Sequence, residues 1–154
     1  MRTSFNVYLA SPFFSPKQRE LLDSLREKLL NLDLSVYSPM HDGEILSKNP
    51  SSPERIHVFE SNTEAINSSD IVVAIIDDRD MGVIWEIGYA YAKGKPIITY
   101  TNEKYGLNVM IAQCVIAHVN DMSILESILN ELSCRKETER LFREKLPMYK
   151  GEVE

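Results

Sequence analysis

The run IVVAII at residues 71–76 is the feature that most restricts how this chain can fold. Consecutive apolar residues, most of them β-branched, are typical of a strand that is covered on both faces, and such strands belong to parallel sheets. Parallel neighbours cannot be joined by a tight turn and need crossover connections, which are usually helices. The rest of the chain is therefore expected to alternate strands with helices.

Strand-length apolar segments do alternate with helical patterns along the sequence. Residues 39–53, rich in Ser, Pro, Gly and Asn, are expected to form an exposed loop long enough to act as a lid or binding loop. The expected fold is a single α/β domain over residues 1–154, a doubly wound, parallel, five-stranded sheet with helices on both faces, flavodoxin-like or Rossmann-like. We predict strands at 5–10, 34–38, 71–76, 96–100 and 115–119, and helices at 17–30, 54–67, 81–93, 108–113 and 123–145.

Charge and composition exclude several classes of function. The 154 residues include 17 Lys and Arg against 23 Asp and Glu, and the net charge of −6 disfavours a nucleic-acid polymer as partner. No run approaches the ~20 apolar residues of a membrane span, and the N-terminus lacks the pattern of a secretory signal. We therefore expect no membrane association and a cytoplasmic location. Cys114 and Cys134 are interpreted as free thiols, and the His41–Asp42 pair lacks further ligands at usable spacing, so no metal site is predicted.

Glu86 is the clearest candidate for chemistry. It is the single charged residue in MGVIWEIGYAYA, residues 81–92, and a helix that is apolar on all sides is normally buried. An unpaired buried carboxylate costs several kcal/mol or becomes neutral, so it needs a partner or a task. Glu86 is interpreted as a nucleophile or general base. The alternative is a structural acceptor, or a partly exposed residue at the helix edge.

Other candidates lie on the same predicted edge of the sheet. Asp80 precedes the helix of Glu86, either as its N-cap or as a second carboxylate that handles a proton. Gly82 would let a ligand approach the backbone. Tyr8, at the end of the first strand, is either a packing residue or a phenol that donates a hydrogen bond to Glu86.

An adjacent aromatic pair, Phe13 and Phe14, follows the first strand and can stack on a planar ligand or plug a core. Neither GxGxxG nor GxxxxGK[ST] occurs, which argues against dinucleotide or nucleoside triphosphate binding. Asp77 and Asp78 are expected to be solvated turn residues.

Three segments together resemble the nucleoside 2-deoxyribosyltransferases. They are YLASPFF at 8–14, SDIVVAIID at 69–77 and DMGVIWEIGYAYAKGKPI at 80–97, with weaker similarity in NVM at 108–110 and in the tail at 148–154. This resemblance implies an enzyme that transfers 2-deoxyribose between bases, uses small-molecule deoxynucleosides and free nucleobases, needs no cofactor and serves nucleoside salvage. Members of the family are homo-oligomers, often hexamers assembled from dimers, with active sites shared between chains.

The resemblance also implies roles for individual residues. Glu86 would attack the anomeric carbon, Tyr8 would orient its carboxylate, and Asp80 would exchange a proton with the base. Phe13 and Phe14 would form the aromatic wall of the base site. Three residues would come from a neighbouring subunit: Asn108 and Met110 to hold the 5′-hydroxyl side of the sugar, and the terminal carboxylate of Glu154 to close the pocket.

One position departs from the family pattern. Where the family usually has an Asp that helps recognise or protonate the base, this chain has Asn62, which can bind a base edge but cannot donate a proton in the same way. The alternative activity is hydrolysis of deoxynucleosides or of their 5′-monophosphates. The segment SPFFSP after the first strand contains no Arg to hold a phosphate, which favours an unphosphorylated nucleoside.

Overall fold

The computed structural model describes residues 5–104, 106–135 and 153. Its secondary structure follows the predicted alternation, with boundaries shifted by one or two residues in most elements. The strands are β1 (Asn6–Ala10), β2 (Ser35–Tyr37), β3 (Ile71–Ile75), β4 (Ile97–Tyr100) and β5 (Ala117–Val119). The helices are α1 (Pro16–Asn31), α2 (Pro39–Asp42), α3 (Ser52–Ser68), α4 (Met81–Ala92), α5 (Val109–Cys114) and α6 (Met122–Arg135).

All five strands pair in parallel, in the order β2-β1-β3-β4-β5. This confirms the predicted doubly wound sheet. Strand order reverses between β1 and β3, since β2 was added on one side of β1 and the later strands on the other. The chain therefore has the flavodoxin-like order, in which a ligand crevice forms outside the carboxyl ends of β1 and β3.

Side chains of β1 alternate between two apolar cores, one on each face of the sheet. Val7 and Leu9 face α1 and α6, whereas Tyr8 and Ala10 face α3, α4 and α5. The middle strand, β3, is buried on both faces, as its β-branched sequence predicts. The consequence for function is that Tyr8 lies on the same side of the sheet as α4, the helix that carries Glu86.

Capping explains where the two long helices beside the cleft begin. Ser15 and Gln18 form a capping box at the start of α1, and Ser51 and Glu54 form one at the start of α3. In both cases a proline follows within the first two positions, where its missing N–H is not needed.

The structure corrects one expectation about exposure. The helix around Glu86 is not buried on all sides, because Met81 is 87% exposed and Trp85 is 46% exposed. These two residues are four positions apart on the outer side of α4, whereas Tyr89, one turn further on, is partly buried against the core. Along α3, Ile66 is buried, whereas Phe59 is 55% exposed and lies against Trp85 with ring centroids 5.2 Å apart.

Two further segments differ in detail from the sequence interpretation. The expected loop at 39–53 contains the one-turn helix α2 and continues as irregular chain up to α3. The helix predicted over 123–145 is confirmed as far as Arg135, and the positions after it lie outside the described residues. No helix in the described part of the chain is long and apolar enough to cross a membrane.

Candidate active site

A hydrogen bond between Tyr8 and Glu86 forms the centre of the candidate site. The Tyr8 hydroxyl donates to Oε1 of Glu86 over 2.6 Å. Tyr8 is fully buried in β1, and Glu86 is partly buried in the middle of α4. Because α4 packs on β3, the neighbour of β1, a side chain on its inner edge reaches the phenol. The partner that the sequence required for Glu86 is therefore present.

The surroundings of this pair shift both pKa values upward. Burial raises the pKa of Glu86 from its ordinary 4.5 to about 7; the hydrogen bond from Tyr8 opposes this shift, and the negative charge of Asp80 adds to it. The pKa of Tyr8 is raised far above its ordinary value, first by burial and then by the charge of Glu86. Tyr8 thus stays a neutral donor, while Glu86 changes charge near neutral pH.

Asp80 immediately precedes α4, and the structure bears out its role as a cap; its role in proton exchange stays a prediction. Its Oδ1 accepts a hydrogen bond from the backbone N–H of Val83 at 3.0 Å, so it is the N-cap of the helix. The same carboxylate is close enough to Glu86 to raise its pKa. Gly82 keeps the approach to Asp80 open, since a Cβ at this position would lie 3.1 Å from Asp80 Oδ1.

Tyr37 and Asn62 extend this group towards α3. The rings of Tyr37 and Tyr8 are stacked, with centroids 5.7 Å apart and planes inclined by 19°. The Tyr37 hydroxyl donates to Oδ1 of Asn62 over 3.3 Å. Sequence reasoning selected Asn62 and missed Tyr37. The available signal was its place at the end of β2, where parallel register sets it beside Tyr8.

Phe13 and Phe14 lie just beyond β1 and stack on each other, with centroids 5.3 Å apart. Phe13 is partly buried against the core on the α1 side, and Phe14 is 74% exposed. Phe13 thus packs against the core, and Phe14 stacks on it at the surface. An aromatic wall for a base remains a prediction.

Asn108 and Met110 lie on the opposite side of α4 from Glu86. They line a cavity of about 330 Å³ whose wall includes Ile84 of α4. Ile84 and Glu86 are two positions apart, which on a helix places them on nearly opposite faces. Within one chain, therefore, these two residues are not brought to Glu86. Asn108 instead caps α5, accepting from the N–H of Met110 at 2.9 Å. Glu154 lies outside the described residues, and Val153 forms a bridge with Leu107.

The expectation for Asp77 is wrong. Asp77 is 5% exposed and accepts hydrogen bonds from the Thr101 hydroxyl and from the backbone N–H of Asn102. It therefore joins the end of β3 to the end of β4 instead of facing water. Asp78 is exposed, as expected.

His41 and His118 have structural partners. His41 contacts Asp23 over 2.7 Å and the Ser38 hydroxyl over 3.2 Å, and His118 contacts the Thr99 hydroxyl over 2.8 Å. In the described part of the chain, no three His, Cys, Asp or Glu residues are grouped so that they could hold a metal ion.

Comparison with known proteins identifies the family and the fold. The sequence profile of the family described as nucleoside 2-deoxyribosyltransferase matches residues 7–127. A 2-deoxyribosyltransferase from the psychrotolerant bacterium Bacillus psychrosaccharolyticus has a similar structure, with a TM-score of 0.73 and 32% identity, covering 79% of this chain and 90% of that one.

Two further solved structures share the fold. A conserved protein of Enterococcus faecalis V583 has a TM-score of 0.72 and 23% identity over 84% of this chain and 99% of that one. A CMP N-glycosidase of Clostridium botulinum has a TM-score of 0.55 and 20% identity over 81% and 98%.

Among curated sequences, an uncharacterized protein of Ureaplasma parvum serovar 3 is 29% identical over 105 residues. That alignment spans 63% of this chain and 66% of the relative, just under two thirds of its length. The match to residues 7–127 includes Tyr8, Asn62, Asp80, Glu86 and the strands that position them. The chain therefore belongs to the nucleoside 2-deoxyribosyltransferase family, whose members act on nucleosides.

Proposed function

We propose that this protein transfers the 2-deoxyribosyl group of 2′-deoxynucleosides between purine and pyrimidine bases, through a covalent glycosyl–Glu86 intermediate and with retention at the anomeric carbon. The observation that carries this proposal is the partly buried carboxylate of Glu86, which accepts a 2.6 Å hydrogen bond from the Tyr8 phenol. A carboxylate that is partly shielded from water and oriented by a neutral hydrogen-bond donor is suited to nucleophilic attack.

In the first step, Glu86 attacks C1′ of the deoxyribose as the bond from C1′ to the base nitrogen breaks. The electron pair of that bond goes to the base nitrogen, and the base takes a proton from water, relayed through the Asp80 carboxylate. Proton donation of this kind is typically worth ~10²–10⁴-fold in rate, because it avoids expelling an anion. The product is a glycosyl ester on Glu86.

In the second step, a nitrogen of the incoming base attacks C1′ and Glu86 leaves as a carboxylate. The Asp80 carboxylate takes up the proton that the incoming base loses and returns it to water. Each step inverts C1′, so the overall transfer retains configuration. Transfer instead of hydrolysis requires that the acceptor base fill the pocket and keep water from the ester.

The other predicted site residues belong to substrate binding in this proposal. Phe13 and Phe14 stack on the base, Asn62 binds its edge and Gly82 allows a close approach. Asn108 and Met110 reach the sugar of a neighbouring subunit, together with the terminal carboxylate of Glu154. Their separation from Glu86 within one chain supports the expectation of a homo-oligomer with shared sites, because only another copy can complete the pocket in this way.

A transfer assay tests the proposal. The protein is incubated with deoxyinosine or deoxyuridine, with and without free adenine, and the products are separated by chromatography. Formation of deoxyadenosine is the expected result. Free base released equally fast without adenine would instead indicate hydrolysis, the alternative activity; repeating this arm with the 5′-monophosphates shows whether a phosphate is accepted.

Two variants test the nucleophile separately. Glu86→Gln and Glu86→Ala should each lower turnover by about 10³-fold or more while remaining folded. Mass spectrometry of wild-type protein quenched during turnover should show a deoxyribosyl adduct that is absent from Glu86→Gln. An active Glu86→Ala variant, or an adduct on another residue, would remove Glu86 from this role.

A further inference from the structure

We propose that Tyr37 is a positioning residue that contacts both the nucleophile side and the base side of the cleft. Its ring supports Tyr8, and its hydroxyl orients the side-chain amide of Asn62 so that the NH₂ group faces the base. This inference rests on the proposed function and adds a residue and a base-selection rule to it. A base would then be selected by an acceptor atom at its bound edge, either a carbonyl oxygen or an unprotonated ring nitrogen.

The ring of Tyr37 supports Tyr8. The two residues are partners in the register of β1 and β2, and their stacked rings lie on the face of the sheet that α4 covers. Stacked aromatic pairs contribute beyond the area that they bury, and they restrict ring orientation. Since Tyr8 holds Glu86 over 2.6 Å, a displacement of its ring changes both the direction of the donor and the access of water to the carboxylate.

The hydroxyl of Tyr37 binds the base side of the site. It donates to Oδ1 of Asn62, so the acceptor end of that amide is occupied. Among the described residues no acceptor is bound to Nδ2 of Asn62, which leaves two N–H donors for a ligand. An amide fixed in this sense favours an acceptor on the base and disfavours a donor.

Gly43, in the turn after α2, lies close to the Tyr37 hydroxyl. A Cβ at position 43 would lie 3.2 Å from the Tyr37 hydroxyl oxygen and 2.7 Å from the carbonyl oxygen of Pro39. Glycine is thus the residue that fits at this approach. The contact connects the segment predicted as a lid to the same phenol that stacks on Tyr8.

The charges around Tyr37 keep its hydroxyl a donor. Burial raises its pKa, and the negative charges of Asp42 and Glu86 raise it further.

Two variants separate the ring from the hydroxyl. Tyr37→Phe keeps the stack and loses the bond to Asn62: we expect the KM for the acceptor base to rise about 3- to 10-fold, with the rate of glycosyl-enzyme formation in a single turnover unchanged within about 2-fold. Tyr37→Met loses the ring and admits water beside Tyr8. We expect slower glycosyl-enzyme formation and a lower pH midpoint for that step, because Glu86 becomes less buried.

Coupling and control variants complete the experiment. The double variant Tyr37→Phe/Asn62→Ala should raise the acceptor KM no more than Asn62→Ala alone if the two residues act as a unit. Tyr100→Phe is the matched control, since it removes one hydroxyl bond, to Asn102 over 2.8 Å, from a residue in the opposite core. It should change neither the acceptor KM nor the pH midpoint.

Two results would overturn the inference in an active enzyme: an unchanged acceptor KM in Tyr37→Phe, or an unchanged pH midpoint in a folded Tyr37→Met. Wild-type protein without turnover on any deoxynucleoside would overturn the proposed function instead. In that case, NMR titration of the Glu86 side-chain carboxyl carbon still tests the positioning role, because Tyr37→Met should lower its midpoint and Tyr100→Phe should not.

Discussion

The Tyr8 hydroxyl and Glu86 Oε1 lie 2.6 Å apart although the two residues are separated by 78 positions in the chain. One belongs to the first strand and the other to the fourth helix, so the contact exists only when the sheet is assembled. It places a neutral donor against a carboxylate that burial would otherwise keep protonated. The bond therefore lowers the pH at which Glu86 can act as a nucleophile.

The pH dependence of the first half-reaction should report this bond directly. In wild-type protein, kcat/KM for the nucleoside should rise with pH to a plateau, with a midpoint near the Glu86 pKa of about 7, because only the carboxylate attacks. Tyr8→Phe removes the contact that lowers this pKa, so the midpoint should move to higher pH. Rates measured from pH 5 to pH 9 for wild type and Tyr8→Phe give the two midpoints. A midpoint that stays in place in Tyr8→Phe would contradict the assignment.

Stability should depend on pH through the same residue, with a sign opposite to that of most carboxylates. The folded-state pKa of about 7 lies above the ordinary 4.5, so the folded protein holds the proton more tightly than the unfolded chain. This contribution is fully present below about pH 4.5 and is lost as the pH rises through about 7. Glu86→Gln cannot ionise and should gain up to about 3 kcal/mol over wild type in free energy of unfolding between about pH 4.5 and about pH 8.

Urea unfolding at both pH values measures this difference. Glu54→Gln is a useful control because its capping-box contacts with Ser51 lower the pKa of Glu54. Its effect should have the opposite sign and should appear below about pH 4.5, so Glu54→Gln should change little between the two pH values. If the stability difference between Glu86→Gln and wild type is the same at both pH values, a raised pKa of Glu86 in the folded protein is contradicted.

Two substitutions at Asp80 should separate its structural role from its chemical role. Asparagine is as good an N-cap as aspartate, whereas alanine removes the bond to the Val83 N–H and should cost about 1 kcal/mol of stability. Both variants lose the carboxyl group that exchanges a proton with the base. We therefore expect similar losses of turnover, about 10²-fold, but a lower thermal midpoint only for Asp80→Ala. Full activity in Asp80→Asn would restrict Asp80 to capping.

Asn62→Asp should alter both base preference and pH dependence. It places a carboxylate beside the Tyr37 hydroxyl, on the side of the cleft that interacts with Glu86. A second negative charge raises the pKa of Glu86, so the midpoint of the first half-reaction should move to higher pH. The preferred acceptor bases should change towards those with a donor at the bound edge. Asn62→Ala adds no charge and should not raise the pH midpoint. Competition between pairs of acceptor bases measures the base preference.

Much of the fold could be predicted because its signals are local. The β-branched run at 71–76, the leucines of α1 at helical spacing and the glycine and proline after α4 depend on residues only a few positions apart. The spacing from Asp80 to Glu86 is local too: one residue caps the helix and the other lies inside it, so both could be selected without coordinates.

Other features required the assembled sheet, because they depend on which distant segments become neighbours. Asp77 reads as a turn residue, yet it is buried by the end of β4. Met81 and Trp85 read as core residues, yet they face outward.

By itself, the sequence determined a parallel α/β chain with one acid in an apolar helix and a phenol on the opening strand. Periodicity and capping depend on residues within one or two helical turns, and these local signals are sufficient to predict the elements and to select the two residues. Only the tertiary structure decided that Tyr8 meets Glu86, that Tyr37 stacks behind it and that Asn108 lies on the far side of α4. The physical reason is strand order: the reversal between β1 and β3 selects which side chains share a face and a crevice, and no local interaction specifies it.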